Sequence, residues 1–252
     1  MKVEHLTVQN EDKFEVVKDV SFSVRGGEIF AVAGVSGNGQ VELADAVAGL
    51  LKPSHGRILL NGKDITQSSI RSRNLEGMSY IPEDRQNVGL VMDMSLSDNL
   101  ALKNYFEPPF SKGAVIDGEE FVKYSDRLIE KYDIRSGQGS DTIVRSMSGG
   151  NQQKAVIARE IELDSSLLIF VQPTRGLDIG AIENIHRQIV EQRNRGKAVL
   201  LISLELDEVM NLADTIGVIY NGKIEKIADA GTLTPGEVGE FMMGVGGRHE
   251  KA

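Results

Sequence analysis

Residues Gly34 to Val41, in the stretch GVSGNGQV, have the glycine spacing of a loop that binds phosphate. Such loops follow the pattern G-x-x-x-x-G-K-[ST], in which backbone amides hold the phosphates, the lysine adds charge and the hydroxyl binds Mg²⁺. Gly34 and Gly39 fit this pattern, but Gln40 replaces the lysine and Val41 replaces the hydroxyl residue. The stretch therefore has two interpretations. Its backbone amides bind an anion without a charged side chain or a bound metal, or the glycines form a turn kept only for packing.

A second candidate site is the turn Ser148-Gly149-Gly150, which leads into the helical pattern NQQKAVIARE. A serine and two glycines before a helix expose a hydroxyl and backbone amides at the positive end of the helix dipole. That arrangement can bind a phosphate group. The alternative interpretation is an ordinary helix cap with no ligand.

The first candidate site lies at a junction between a predicted strand and a predicted helix, and the second lies at the start of a predicted helix. EIFAVAG, from Glu28 to Gly34, is an apolar run without alternation, which is typical of a strand buried on both faces. Helical spacing follows from Val41, and Asn61-Gly62 predicts a hairpin turn. After the second site, SLLIFV, GAIENIHRQIVEQRNRG, KAVLLIS and ELDEVMNLA alternate strand and helix. This order predicts an α/β fold with a parallel sheet and helices on both faces.

The middle of the chain has a different character, because Gln86 to Leu163 is helical by propensity and spacing around a looser segment, EPPFSKGAVIDG. We therefore expect one domain over 1–245, with a helical subdomain at about 86–163 inserted in it. Residues 246–252 are expected to form a solvated tail, and a closing helix is expected just before them.

Composition argues against several classes of function. The net charge of −9 disfavours sequence-independent binding of DNA or RNA. The chain has no cysteine and its four histidines are scattered, so neither a disulfide framework nor a zinc cluster is expected. No apolar run is long enough to span a bilayer. A role at a membrane would therefore depend on a partner.

The stretch MSGGNQQK resembles the signature of ABC-transporter ATPases, in the variant used by importers of simple sugars and nucleosides. The motif order agrees with that family: glycine loop, SYIPEDR, signature, the strand before QPTRGLD, and ISLELDE. IPEDRQNVGLVMDMSLSDNL is similar to the second half of the fused, two-domain ATPases of this group, and the pairing of QPTRGLDIGAIE with ISLELDE most resembles the nucleoside-type members. The resemblance implies a P-loop NTPase core of the ABC type, with N-terminal antiparallel strands and a helical subdomain.

The resemblance also implies that the chain's own nucleotide site is degenerate. In this family the strand before QPTRGLD ends in Asp-Glu, and a later histidine contacts the outer phosphate. Five catalytic positions are substituted here: Gln40, Val41, Val171, Gln172 and Leu204. The loop residues Gly34, Gly37, Asn38, Gly39, Gln40 and Val41 would hold ATP or ADP weakly or not at all. Mg²⁺ is expected only in the partner's site, and no metal site is expected in this chain.

Family members pair head to tail, so that each ATP lies between the glycine loop of one domain and the signature of the other. The resemblance therefore assigns Ser148, Gly149, Gly150, Asn151 and Gln152 to the partner's ATP. Gly176, Leu177 and Asp178 would form the loop that crosses the interface, with Asp178 toward the partner's attacking water. Glu83 occupies the position of the family's usual glutamine. Phe14 is interpreted as a core residue at a strand edge and not as an adenine-stacking group.

The partners implied by this resemblance are an active nucleotide-binding domain, expected to be the first half of the same polypeptide, and transmembrane permease subunits. A solute-binding protein would act indirectly, and the complex would import its solute at the expense of ATP from the cytoplasmic face of the membrane. Two alternatives stay open. The chain could be a hydrolysing ATPase that uses Glu83 or Glu205 as base, or a soluble ABC protein acting on ribosomes or DNA, which its acidic charge disfavours.

Overall fold

The computed structural model describes residues 1–113 and 115–246. Twelve strands are described: β1 (Lys2–Gln9), β2 (Glu15–Ser23), β3 (Ile29–Ala33), β4 (His55–Leu60), β5 (Lys63–Asp64), β6 (Met78–Ile81), β7 (Ser111–Lys112), β8 (Val115–Ile116), β9 (Leu167–Val171), β10 (Ala198–Ser203), β11 (Thr215–Tyr220) and β12 (Lys223–Asp229). The α-helices among these residues are α1 (Gln40–Ala48), α2 (Ile70–Leu75), α3 (Leu96–Ala101), α4 (Gly118–Lys131), α5 (Gly149–Glu162), α6 (Ile179–Asn194), α7 (Leu206–Leu212) and α8 (Pro235–Met242).

The chain forms two compact units. The first contains Met1–Tyr80, Ser165–Gln172 and the residues from His186 onward, and the second contains Ile81–Asp164 and Pro173–Ile185. The expected tail over 246–252 lies outside the described residues except for Gly246. Among the residues described, no helix has the length and apolar character needed to cross a bilayer.

The first unit contains two sheets. The smaller has the order β2-β1-β4-β5, with antiparallel pairing throughout. Asn61 and Gly62 join β4 to β5 with φ values of 51° and 82°. These angles are those of a hairpin turn that needs left-handed backbone at both positions, so the predicted Asn-Gly hairpin is confirmed.

The larger sheet has the order β12-β11-β3-β10-β9-β6. β3 pairs in parallel with β10 and β11, and β10 pairs in parallel with β9. Every residue of β3, β9 and β10 is buried, as expected for strands covered on both faces. β12 is antiparallel to β11 and closes one edge of the sheet; the sequence reasoning did not identify this strand.

Helix α1 packs against strands of both sheets and shares their core. Leu43, Ala44 and Val47 are fully buried there. A completely buried leucine or valine stabilises a fold by about 1.5–3 kcal/mol relative to an exposed one. Because α1 begins directly after the glycine loop, this core determines where the loop lies.

The C-terminal end of α1 is capped by a buried arginine. Arg73 is 2% exposed, and its guanidinium donates to the carbonyl oxygens of Ala46 at 3.0 Å and Val47 at 2.5 Å. It also donates to the carbonyl oxygens of Ser68 at 3.1 Å and Thr66 at 2.9 Å. A cation at a helix C-terminus satisfies carbonyl groups that have no partner within the helix.

The second unit contains α3, α4 and α5 and a short hairpin formed by β7 and β8. This hairpin lies in the segment EPPFSKGAVIDG, which the sequence predicts to be looser. Helix α3 ends at Ala101, and Asn104 donates its backbone amide to the Ala101 carbonyl in an i to i+3 turn. Two prolines follow shortly afterwards and disfavour helix at the residues before them.

A buried ion cluster links α5 to the residues after α3. The Glu160 side chain is 0% exposed and accepts hydrogen bonds from Lys103 Nζ at 2.7 Å and Arg159 Nε at 2.9 Å. Burial acts to raise the pKa of Glu160, but the attraction of the two cations outweighs burial and the pKa lies below its usual value. Glu160 is therefore ionised in the folded protein.

This cluster predicts a loss of stability in acid. Because the folded-state pKa of Glu160 is lowered, its contribution is present above the unfolded pKa of about 4.3 and is lost as pH falls through the folded value. Urea unfolding should show that Glu160→Gln lowers the free energy of unfolding by about 2 kcal/mol at neutral pH. The same substitution should weaken the dependence of that free energy on pH in the acidic range. The exposed Glu130→Gln is the control; equal acid sensitivity in both variants would contradict the prediction.

Candidate functional site

The glycine loop keeps its shape through close backbone approach. It follows β3 and leads into α1, and Gly39 has φ +96°. A Cβ atom at Gly39 would lie 2.1 Å from the Val16 carbonyl oxygen, and one at Gly34 would lie 2.9 Å from the Ile219 carbonyl oxygen. Neither distance is possible without moving the chain. The two glycines that fit the phosphate-loop pattern are thus required by packing, whether or not the loop binds a phosphate.

The side chain at the lysine position is used inside the loop. Gln40 is 2% exposed, and its Nε2 donates to the Val35 carbonyl oxygen at 2.8 Å. Gln40 Nε2 also lies 3.0 Å from where a Cβ on Gly34 would be. Val41 is partly buried and packs against the core. The loop therefore presents backbone amides but no charged group or hydroxyl from these two positions.

The turn between β11 and β12 braces the loop. Asn38 Oδ1 accepts from the Asn221 amide at 2.9 Å, and the Gly222 amide donates to the Asn38 carbonyl at 3.0 Å. Gly222 in turn accepts from the Lys18 amide at 2.7 Å through its own carbonyl. Asn38, assigned to nucleotide from the sequence, thus has a structural role whether or not a nucleotide binds.

The strand end that should carry acidic residues carries an apolar side chain and an amide. Val171 is fully buried, and Gln172 is 5% exposed with φ +50°. Gln172 Oε1 accepts from the Leu204 amide at 3.5 Å, while its Nε2 is buried without a hydrogen-bond partner. An amide cannot act as a general base, and valine cannot coordinate a cation. The donor set of Val41, Val171 and Gln172 does not fit Mg²⁺.

The described residues also contain no cluster of three or more histidine, cysteine or acidic side chains able to hold a metal ion. Glu83, the remaining acidic candidate at the family's glutamine position, forms an ion pair with Arg175. The guanidinium occupies a carboxylate oxygen that a metal ion would need.

The signature turn, Ser148-Gly149-Gly150, forms the capped N-terminus of α5. Ser148 is exposed and forms the N-cap of α5, and its Oγ accepts from the Asn151 amide at 3.5 Å and from Asn151 Nδ2 at 2.9 Å. A Cβ on Gly149 would lie 2.6 Å from Arg85 Nη2, so a larger residue there would displace the end of the Arg85 side chain. Helix α5 has 14 residues, long enough for its dipole to attract an anion at this end.

The signature turn and Asp178 line the same cavity, which has a volume of 420 Å³. Asp178 precedes α6, and its Oδ1 accepts from the Ala181 amide at 2.9 Å. The N-termini of α5 and α6 therefore open onto one space. The cavity is lined by Asp133, Arg135, Ser148, Gly150, Asn151, Lys154, Asp178, Gly180, Ala181 and Asn184.

Three charged residues of this cavity were missed by the sequence reasoning. Lys154 Nζ donates to the Asp133 carbonyl oxygen at 2.6 Å and to its Oδ2 at 2.8 Å. The hydrogen bond and charge of Lys154 lower the pKa of Asp133. Arg135 has an exposed side chain beside them. Lys154 was detectable, because it lies three residues after Asn151 on the same face of a helix.

Two sequence assignments differ from the structure. Gln152, expected to contact the partner's ATP, is 2% exposed, and its Nε2 donates to the Val144 carbonyl at 3.1 Å. Its Oε1 accepts from Gln86 Nε2 at 3.2 Å, so the side chain points into the protein. The position one residue after Asn151 falls on the inner face of α5. Phe14, expected in the core, is 70% exposed on the segment between β1 and β2.

The profile of the family described as ABC transporter matches residues 17–175, which is more than half of the chain. The chain therefore belongs to the ABC transporter family. Two solved ATP-binding cassettes of such transporters have the same fold. A nucleotide-free cassette has a TM-score of 0.76 and 24% identity, with 90% of each chain covered. A dimeric bacterial cassette has a TM-score of 0.78 and 19% identity, covering 91% of this chain and 98% of that one.

At these identities the solved structures establish the fold alone, and they confirm the predicted fold class.

Among curated proteins, the chain is 45% identical over 244 residues to the nucleoside import ATP-binding protein NupA of Lactococcus lactis subsp. cremoris, covering 97% of this chain and 48% of that protein. The guanosine import ATP-binding protein NupO of Bacillus subtilis is 46% identical with the same coverage. The chain spans about half the length of these relatives.

Proposed function

We propose that this chain is a nucleotide-binding domain, over about 1–245, of an ABC importer for nucleosides or simple sugars. Its own nucleotide site does not hydrolyse ATP. Its signature turn completes the ATP site of an active partner domain. The observation that carries the proposal is the contrast between a glycine loop whose Gln40 bonds to the loop itself and a signature cavity that keeps an exposed Ser148 at a helix end.

The relatives support the substrate class and the arrangement of domains. NupA and NupO are named for nucleoside and guanosine import, and ribose import proteins of the same family are 36–37% identical. Because the chain spans about half of NupA and NupO, we propose that it is the second half of a fused polypeptide whose first half is the active domain. Permease subunits would hold it at the cytoplasmic face of the membrane, with a solute-binding protein acting indirectly.

The alternative of a hydrolysing site with an unusual base has less support. Glu83 is paired with Arg175, and Glu205 is an exposed residue at the start of α7. A role in nucleic-acid binding is disfavoured by the net charge of −9.

Turnover measurements test the proposal directly. The purified chain alone, with ATP and Mg²⁺, should release no phosphate above background, because no side chain in its site can activate water. Adding the active partner domain should produce hydrolysis that depends on both proteins. Steady phosphate release by the lone chain, removed by substituting Glu83 or Glu205, would establish the alternative.

The metal dependence of nucleotide binding is a second expected result. Calorimetry should give the chain an affinity for ATP or ADP that changes less than twofold when Mg²⁺ is replaced by EDTA, because Val41 and Val171 supply no ligand. The active partner domain, assayed in the same way, is the control and should require Mg²⁺. A tenfold or greater gain with Mg²⁺ in this chain would show a metal site that the donor set does not explain.

A further inference from the structure

The hydroxyl of Ser148 is contacted twice by a single neighbour. Asn151 Nδ2 donates to Ser148 Oγ at 2.9 Å, and the Asn151 backbone amide donates to the same oxygen at a longer 3.5 Å. A serine hydroxyl has two lone pairs and one proton. Both lone pairs therefore face Asn151, and the proton is left to point elsewhere.

The geometry points to Asn151 as a positioning residue that turns the Ser148 hydroxyl into a donor toward the phosphate of the partner's ATP. This inference rests on the proposed function and refines it. Sequence reasoning placed Asn151 itself on the nucleotide, whereas the structure has its side-chain nitrogen bonded to Ser148. Asn151 would then act through Ser148 and not by touching phosphate.

The orientation of the Asn151 amide is determined by its other side. Asn151 Oδ1 accepts from the Arg135 backbone N–H at 2.8 Å. Because a backbone N–H can only donate, the Asn151 side-chain oxygen must face Arg135 and its nitrogen must face Ser148. The turn that carries Arg135 is held by Lys154, whose Nζ bonds both the carbonyl oxygen and Oδ2 of Asp133. Lys154 thus acts on the hydroxyl indirectly, through hydrogen bonds to Asp133, the backbone from Asp133 to Arg135, and the two hydrogen bonds of the Asn151 side chain.

An outward proton matters because the proposed ligand is an anion. A phosphate oxygen can only accept, so a hydroxyl whose proton turns inward would present lone pairs to it and repel it. A hydrogen bond to a charged group is worth more than a neutral one, and losing it reduces activity about tenfold to a hundredfold. The dipole of α5 adds to the attraction without determining the direction of the hydroxyl.

Substitutions at both positions separate this role from a structural one. Asn151→Leu removes both polar atoms at similar volume. Asn151→Asp keeps the acceptor for the Arg135 amide but replaces the donor by a second acceptor, which would draw the Ser148 proton inward. Each change is made in the full chain, with Ser148 and with Ser148→Ala, and is assayed with the active partner for kcat and KM. Thermal unfolding of every variant checks that it folds.

We expect Asn151→Leu to lower kcat/KM about tenfold when Ser148 is present and less than twofold in the Ser148→Ala background, because the two residues act as a unit. Asn151→Asp should lose at least as much as Asn151→Leu with Ser148 present. The ATP-dependent association of the two domains, measured for the same variants, gives a second double-mutant comparison that does not depend on turnover. The effects of the Asn151 and Ser148 substitutions on this association should also be non-additive.

Equal losses in both Ser148 backgrounds would mean that Asn151 supports the turn alone, and would overturn the inference. Full activity of Asn151→Leu, or of Ser148→Ala, would also overturn it. In those cases the proposed function stands, provided that blocking the cavity with a large side chain at Ser148 still stops turnover. If the blocked variant is active with the partner, the proposed function itself fails.

Discussion

Ser148→Arg should lower the ATP turnover of the chain assembled with its active partner at least hundredfold. The substitution removes the hydroxyl and places a long side chain in the cavity that the signature turn shares with Asp178. If the partner's phosphate must enter this cavity, the two domains cannot close on ATP. The effect is measured as the rate of phosphate release at saturating ATP. A variant whose domains cannot close stays inactive at high ATP, whereas one that only binds ATP weakly regains activity.

A matched control separates obstruction from misfolding. Ser146→Arg introduces the same side chain two residues earlier, at an exposed position whose hydroxyl bonds only the Ile143 carbonyl in the contacts described. Loss of the Ser148 N-cap costs about 1 kcal/mol, which leaves the chain folded. Turnover should survive in Ser146→Arg. If both variants are equally active, the signature turn does not serve the partner.

Arg73→Met should destabilise the first compact unit by about 3–5 kcal/mol. The guanidinium of Arg73 donates to four carbonyl groups, two of them at the end of α1, and methionine replaces none of these hydrogen bonds. Buried carbonyls without donors carry a desolvation penalty, and the shorter side chain leaves a cavity. Urea unfolding at neutral pH should show a lower midpoint.

Arg71→Met is the matched control, because Arg71 is two residues earlier on α2 and is exposed. Its effect should be about 1 kcal/mol or less. Arg73→Lys is informative as well: a lysine keeps the charge but cannot reach four carbonyls, so it should recover only part of the loss. A change below about 1 kcal/mol in Arg73→Met would contradict the view that this residue holds the end of α1 in place.

Single side chains show where sequence reasoning stopped. Gln40 could have extended toward a phosphate as a neutral donor, but it bonds the Val35 carbonyl within its own loop. Gln152 and Asn151 are neighbours in one motif, yet one faces inward and the other faces Ser148. A motif states which residue types occur at which spacing, whereas these outcomes depend on the nearest available hydrogen-bond partner.

The sequence by itself determined the strand–loop–helix order and the buried parallel strands, because both follow from local periodicity and turn chemistry. It also determined that Gln40, Val41 and Val171 carry no charge and that the two valines carry no metal-binding atom, which is a matter of residue type. Only the tertiary structure decided that residues near Asp133, Ser148 and Asp178 share one cavity. Such juxtaposition depends on long-range packing, which short-range pattern does not encode.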